Sequence, residues 1–152
     1  MARRLDQYTG KLTLEQIAEG MNLAKRNARR LYEDAKTLFD AGRYPTALSL
    51  AILSIEEAGK APILRRMTTE TSSDQVKALW KEYRSHTRKN VAWTVLQHVN
   101  WGGVTKLEEL RPMYDETSNH PFLLDQFKQL GFYTDCLGKA HWAVPVEVIE
   151  KE

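Results

Sequence analysis

At 152 residues, 42% of them hydrophobic and 28% charged, the chain is sized for one soluble globular domain, residues 1–152, with a core and no second module. No apolar run approaches the ~20 residues that span a bilayer, and Met-Ala-Arg-Arg-Leu-Asp at the N-terminus lacks the apolar stretch of a secretory signal. Cys136 is the only cysteine, which excludes an intramolecular disulfide and fits a reducing cytoplasm, while a net charge of +2 does not by itself announce a nucleic-acid partner.

Residues 1–12 read as a loose leader. Thr13 and Gln16 have the spacing of a capping box, and Ile17, Met21, Ala24, Ala28, Leu31, Ala35 and Leu38 recur at steps of four and three. That spacing predicts one long helix with a single apolar stripe, stopped at Gly42. Pro45 suits the first turn of a second helix, and the short link between the two implies an antiparallel hairpin. The second helix is apolar almost all round. At about 100° per residue, Leu48, Ile52, Ile55, Gly59 and Ile63 share one face, with Leu50 and Leu53 nearly opposite. It therefore belongs inside a bundle or against a partner subunit. Glu56, Glu57 and Lys60 interrupt it, and Glu57, beside Leu50 and Leu53, is expected to meet protein rather than water. Unpaired buried charge costs several kcal/mol, and Lys60 is its nearest partner at helical neighbour spacing. An internal ion pair and a functional site are both open readings of this segment.

Pro62 predicts a kink or an end near Arg66 to Thr69. After the turn at Thr68 to Ser73, Ser73 or Asp74 is placed to cap a third helix reaching about Val99, with Val76, Leu79, Trp80, Tyr83 and Thr87 toward the core and His86 and Lys89 along it. Gly102 and Gly103 break it, Thr105 to Met113 is a candidate short helix, and Asp115 to His120 a loop. Pro121 opens a fourth helix, apolar at Leu123, Leu124, Phe127 and Leu130, that stops at Gly131. Beyond it the segments flanking Gly138 form a short hairpin or an extended loop, and Pro145 begins a helix that is cut short.

None of the histidines at 86, 98, 120 and 141 forms a zinc-type pair. The Glu-x-x-His of di-iron bundles is replaced by Glu56-Glu57-Ala58-Gly59-Lys60, so no metal and no other cofactor is expected. Phosphate-loop and serine-hydrolase signatures are absent. Basic residues gather at Lys25, Arg26, Arg29 and Arg30, at Arg65 and Arg66, and at Lys81, Arg84, Arg88 and Lys89, the last group interleaved with Trp80, Tyr83 and Trp93. Solvated helix faces look like this too. Cations around His86 favour its neutral form, which suits a general base. Metal-independent RNA cleavage asks for such a base at the ribose 2′-OH, an acid at the leaving oxygen, and cations on the pentacoordinate phosphate.

The ordered set Tyr44, then Ala47 through Glu56-Glu57-Ala-Gly-Lys60, then His86-Thr-Arg-Lys89, then Gly131-Phe-Tyr133-Thr-Asp135, then Trp142 and Pro145, resembles the AbiV family of abortive-infection proteins, a branch of the HEPN superfamily. The resemblance covers most of the chain. It implies an all-α HEPN-like antiparallel bundle with a short extended C-terminal segment, acting as a homodimer in antiviral defence, commonly as a toxin that is a metal-independent endoribonuclease. Its end just after Pro145 is that of a short or truncated member. Carried over by motif, Glu56, Glu57, Lys60, His86 and Lys89 are the expected catalytic set, His86 as acid or base, the lysines as phosphate-stabilising cations, the glutamates orienting them. Tyr133 and Asp135 match the family's Tyr-x-Asp segment and, with Lys81, Arg84 and Arg88, are the expected RNA contacts. One departure stands out: the superfamily's Arg-x4–6-His signature precedes none of the histidines. Lys81 occupies that interval before His86, supplying charge without arginine's bidentate grip. Glu57, Lys60, His86 and Lys89 are expected to converge, since helices joined by a short turn bring positions equally far from it together. The rival reading is a non-catalytic helical module that binds a phage or host protein; a weaker third is a regulatory protein held inactive by a partner.

Overall fold

A computed structural model describes residues 6–85 and 120–150. The long first helix, α1 (Leu14–Asp40), begins as its sequence dictates: Gln16 N–H donates to the Thr13 side chain and the Thr13 N–H to Gln16, closing the capping box. Twenty-seven residues give it a length of about 40 Å. Ile17, Ala24, Ala28, Leu31 and Ala35 are buried along the predicted stripe. At its end Gly42 has φ +73°. The Gly42 N–H donates to the Phe39 carbonyl and Arg43 N–H to that of Leu38, a complete Schellman closure that only a residue at ease with positive φ permits.

Helix α2 (Tyr44–Ala58) returns along α1 with Pro45 in its first turn. None of its fifteen residues is exposed, as expected of a helix apolar on opposing faces; Leu50 and Leu53 are both half-buried. It ends one turn before Pro62. The proline has no N–H for the Ala58 carbonyl and its ring crowds that oxygen, so the chain turns at Gly59 and resumes as α3 (Lys60–Met67). Helix α4 (Ser73–Arg84) follows. Its cap is Ser72, not Ser73 or Asp74, with the Gln75 N–H directed at the Ser72 hydroxyl.

The expected continuous helix to Val99 is not formed. Ser85 is extended at φ −76°, ψ 129°, so α4 ends before His86. The rest of that expectation, with the short helix at 105–113, lies outside the described residues, and so does the loop expected at 115–120 except for His120, which already begins the next helix. Ile17, Ile63, Leu64, Met67, Val76, Leu79 and Trp80 form a buried cluster joining α1, α3 and α4.

Helix α5 (His120–Phe132) packs against a different face of α2 from the one α1 covers. It ends at Phe132, one residue past Gly131, the predicted stop. A Cβ on Gly131 would fall 2.1 Å from the Ser49 hydroxyl and 2.5 Å from the Pro45 carbonyl oxygen, so glycine is required by the closeness of the two helices. Strands β1 (Asp135–Leu137) and β2 (His141–Ala143) then form an antiparallel hairpin with Cys136 opposite Trp142, and the one-turn α6 (Pro145–Val148) follows. The described chain is thus a helical bundle with a small two-stranded appendage, all-α in class as expected.

Candidate functional site

The break between α2 and α3 places three charged side chains around one bend. Adjacent on a helix, Glu56 and Glu57 point about 100° apart, and they meet different cations. Glu57 pairs with Lys60, both side chains about four-fifths buried. The Lys60 ammonium also lies 5.1 Å from the centre of the Tyr83 ring, within the range of a cation–π contact. The motif cation is thereby tied to α4 three positions before His86. Arg66 at 2.9 and 3.0 Å from the two Glu82 oxygens joins α3 to α4 again.

Glu56 faces the other way. Its carboxylate, 2% exposed as a residue, accepts a 2.7 Å hydrogen bond from Lys128 of α5, and Lys128 also donates at 2.7 Å to Asp125. The Ser49 hydroxyl completes the contact, lying 2.9 Å from the Lys128 carbonyl oxygen and 3.2 Å from that of Pro45. Burial disfavours the Lys128 ammonium, but the hydrogen bonds and charges of Asp125 and Glu56 outweigh it and hold its pKa above the ordinary lysine value. Breaking such a buried pair by removing one member costs about 3–5 kcal/mol.

The sequence therefore placed Glu57 and Lys60 together, and it did not supply Lys128 as a partner of Glu56. Lys128 and Asp125 were missed. Their only local signal is a charged i,i+3 pair on a helix rich in apolar residues; nothing near them in sequence names Glu56, 72 positions away.

Of the expected RNA contacts, Lys81 is exposed on α4. Arg84 is half-buried, its guanidinium 4.9 Å from the Trp80 ring centre and donating to the Tyr8 carbonyl, while the Trp80 indole donates to that of Gly10 at 2.8 Å. Arg84 thus fastens the leader to α4. Tyr133 is 62% exposed, and the exposed Asp135 carboxylate accepts the Cys136 N–H at 2.8 Å. His86, Arg88 and Lys89 lie outside the described residues, and so does the expected convergence. Among the described residues no group of three or more His, Cys, Asp or Glu is placed to hold a metal ion, and no helix is long and apolar enough to cross a membrane.

Over residues 16–152 the chain matches the HEPN-type family described as AbiV. No curated protein and no solved structure matches it.

Proposed function

Because the chain belongs to the AbiV family of HEPN abortive-infection proteins, we propose that it is an antiphage effector that cleaves RNA without a metal, as a homodimer. The observation that carries this reading is Lys60, held by Glu57 and lying over Tyr83, a fixed cation at the motif bend beside the helix that leads to His86. In the proposed reaction His86 takes the ribose 2′-OH proton or protonates the leaving oxygen, and Lys60 with Lys89 stabilises charge on the phosphate. Glu57 orients Lys60. Lys81 and Arg88 track the RNA backbone, with Tyr133 and Asp135 as further contacts. Glu56 acts on this site through the backbone, by anchoring α2 to α5.

The deciding experiment is incubation of the purified chain with total RNA in EDTA. Wild type should cleave, and His86→Ala should lower cleavage by roughly 10²–10⁴-fold with the fold retained. A second reading, a non-catalytic module that binds a phage or host protein, is favoured by one observation: Glu56 of the motif is engaged in a buried pair. Wild-type protein that leaves every RNA intact, with and without divalent metal and with phage trigger supplied, would move the assignment to that reading.

A further inference from the structure

Between α1 and α2 runs an open apolar groove on a side of α2 that does not meet α5: Ala51, two positions on from Ser49, points about 200° away from it. Its two halves, about 750 and 470 Å³, meet at Tyr32 and Ala51, which line both. The floor is built of small side chains, Ala28, Ala51 and Ala58 among them. At the rim stand two exposed aromatics, Tyr32 at the middle and Phe39 toward one end, 59% and 48% exposed. Contiguous apolar surface of this kind is where interaction sites form when shape and charge also suit a partner.

We propose that this groove is the interface between two copies of the chain, related by a two-fold axis passing close to Tyr32 and Ala51. The inference deepens the homodimer of the proposed function and rests on it. A two-fold interface must carry both complementary halves on one patch, and this patch does so twice. In shape, it offers aromatic knobs beside alanine-floored hollows, the pairing that lets helices approach closely and that supplies central anchors. In charge, Lys25 and Arg29 line one end and Glu150 the other. Rotation about the middle brings the Lys25 end of each copy against Glu150 of the second. Lys36, which also lies at the Glu150 end, is met within its own copy by Asp40 at 2.6 Å, and Arg29 in part by Glu33 at 3.3 Å, so Lys25 and Glu150 are the pair that reads the orientation.

Sedimentation of the full chain at micromolar concentration tests this. Wild type should run at twice the 17.5 kDa chain mass. Tyr32→Glu, at an exposed position the monomer tolerates, should weaken dimerisation by roughly 30-fold or more, with an unchanged helical circular dichroism spectrum. Lys25→Glu should weaken it about tenfold, and adding Glu150→Lys should restore it. A dimer indifferent to Tyr32→Glu places the second copy on another face and overturns this inference while leaving the dimer reading intact. A wild-type monomer at 100 µM overturns both, whether or not the groove then captures a helix from a different protein. Failure of Glu150→Lys to rescue Lys25→Glu overturns the two-fold arrangement.

Discussion

The Lys128 ammonium sits between two carboxylates, one buried and one partly open to solvent, with side-chain exposures of 6% for the lysine, 3% for Glu56 and 31% for Asp125. Lys128→Met is expected to destabilise the fold by about 3–5 kcal/mol, because it leaves Glu56 buried without this partner. Pairing it with Glu56→Gln should recover part of that loss, and urea unfolding of the two single variants and the double variant measures the coupling. Strictly additive losses would show that the contact contributes nothing of its own. The pH dependence has a definite sign. The Lys128 pKa is raised above 10.5, so the stability it brings is fully present below the unfolded-chain value and is lost as pH rises through the higher folded value. Unfolding curves from pH 8 upward should therefore show a steeper alkaline decline for wild type than for Lys128→Met, and parallel declines would contradict the assignment.

Among the elements, α2 and α5 owe their closeness to two small side chains, Ser49 and Gly131. Gly131→Ala should be destabilising even though alanine is the better helix former by about 1 kcal/mol. The added methyl overlaps the Ser49 hydroxyl and, more seriously, the Pro45 backbone oxygen at 2.5 Å, which has no rotamer to escape into. A net loss of roughly 1–3 kcal/mol in denaturant unfolding is the expected outcome; stabilisation would mean that the helices separate without cost. The helix ends one residue past Gly131, so the reading of a stop there held to within a residue, but it gave no sign that the same glycine is also the point of closest approach between two helices. At Gly42, by contrast, chain-local geometry set the role, and the sequence reading held.

For the molecule as a whole, α2 is the central strut, covered by α1 on one side and α5 on another, with α3 continuing from its end into the α4 cluster. Native-state hydrogen exchange should find the slowest amides in α2, where no residue is exposed, and the fastest in the hairpin and α6, whose side chains are mostly open. A hairpin that exchanges as slowly as α2 would contradict this order. The same architecture divides the charged motif: Gly59 and Pro62 break the strut, and the bend presents Glu57 and Lys60 toward α4 while Glu56 stays behind to hold α5.

By itself the sequence determined the helical class, the extent of α1, the start of α2 at Pro45, the caps at Thr13 and Gly42, the Glu57–Lys60 pair and the AbiV family. These depend on residues within a turn or two of one another, or on an ordered set of motifs, and both are written directly along the chain. Only the tertiary structure decided that Glu56 is the deeply buried carboxylate and Lys128 a partner of it, that Gly131 is a contact between two helices, and that α4 ends at Arg84. The first two depend on which helix faces meet across more than seventy residues of chain. The end of α4, where Ser85 turns extended, carries no glycine or proline, so periodicity that continued past it gave no local sign of the break.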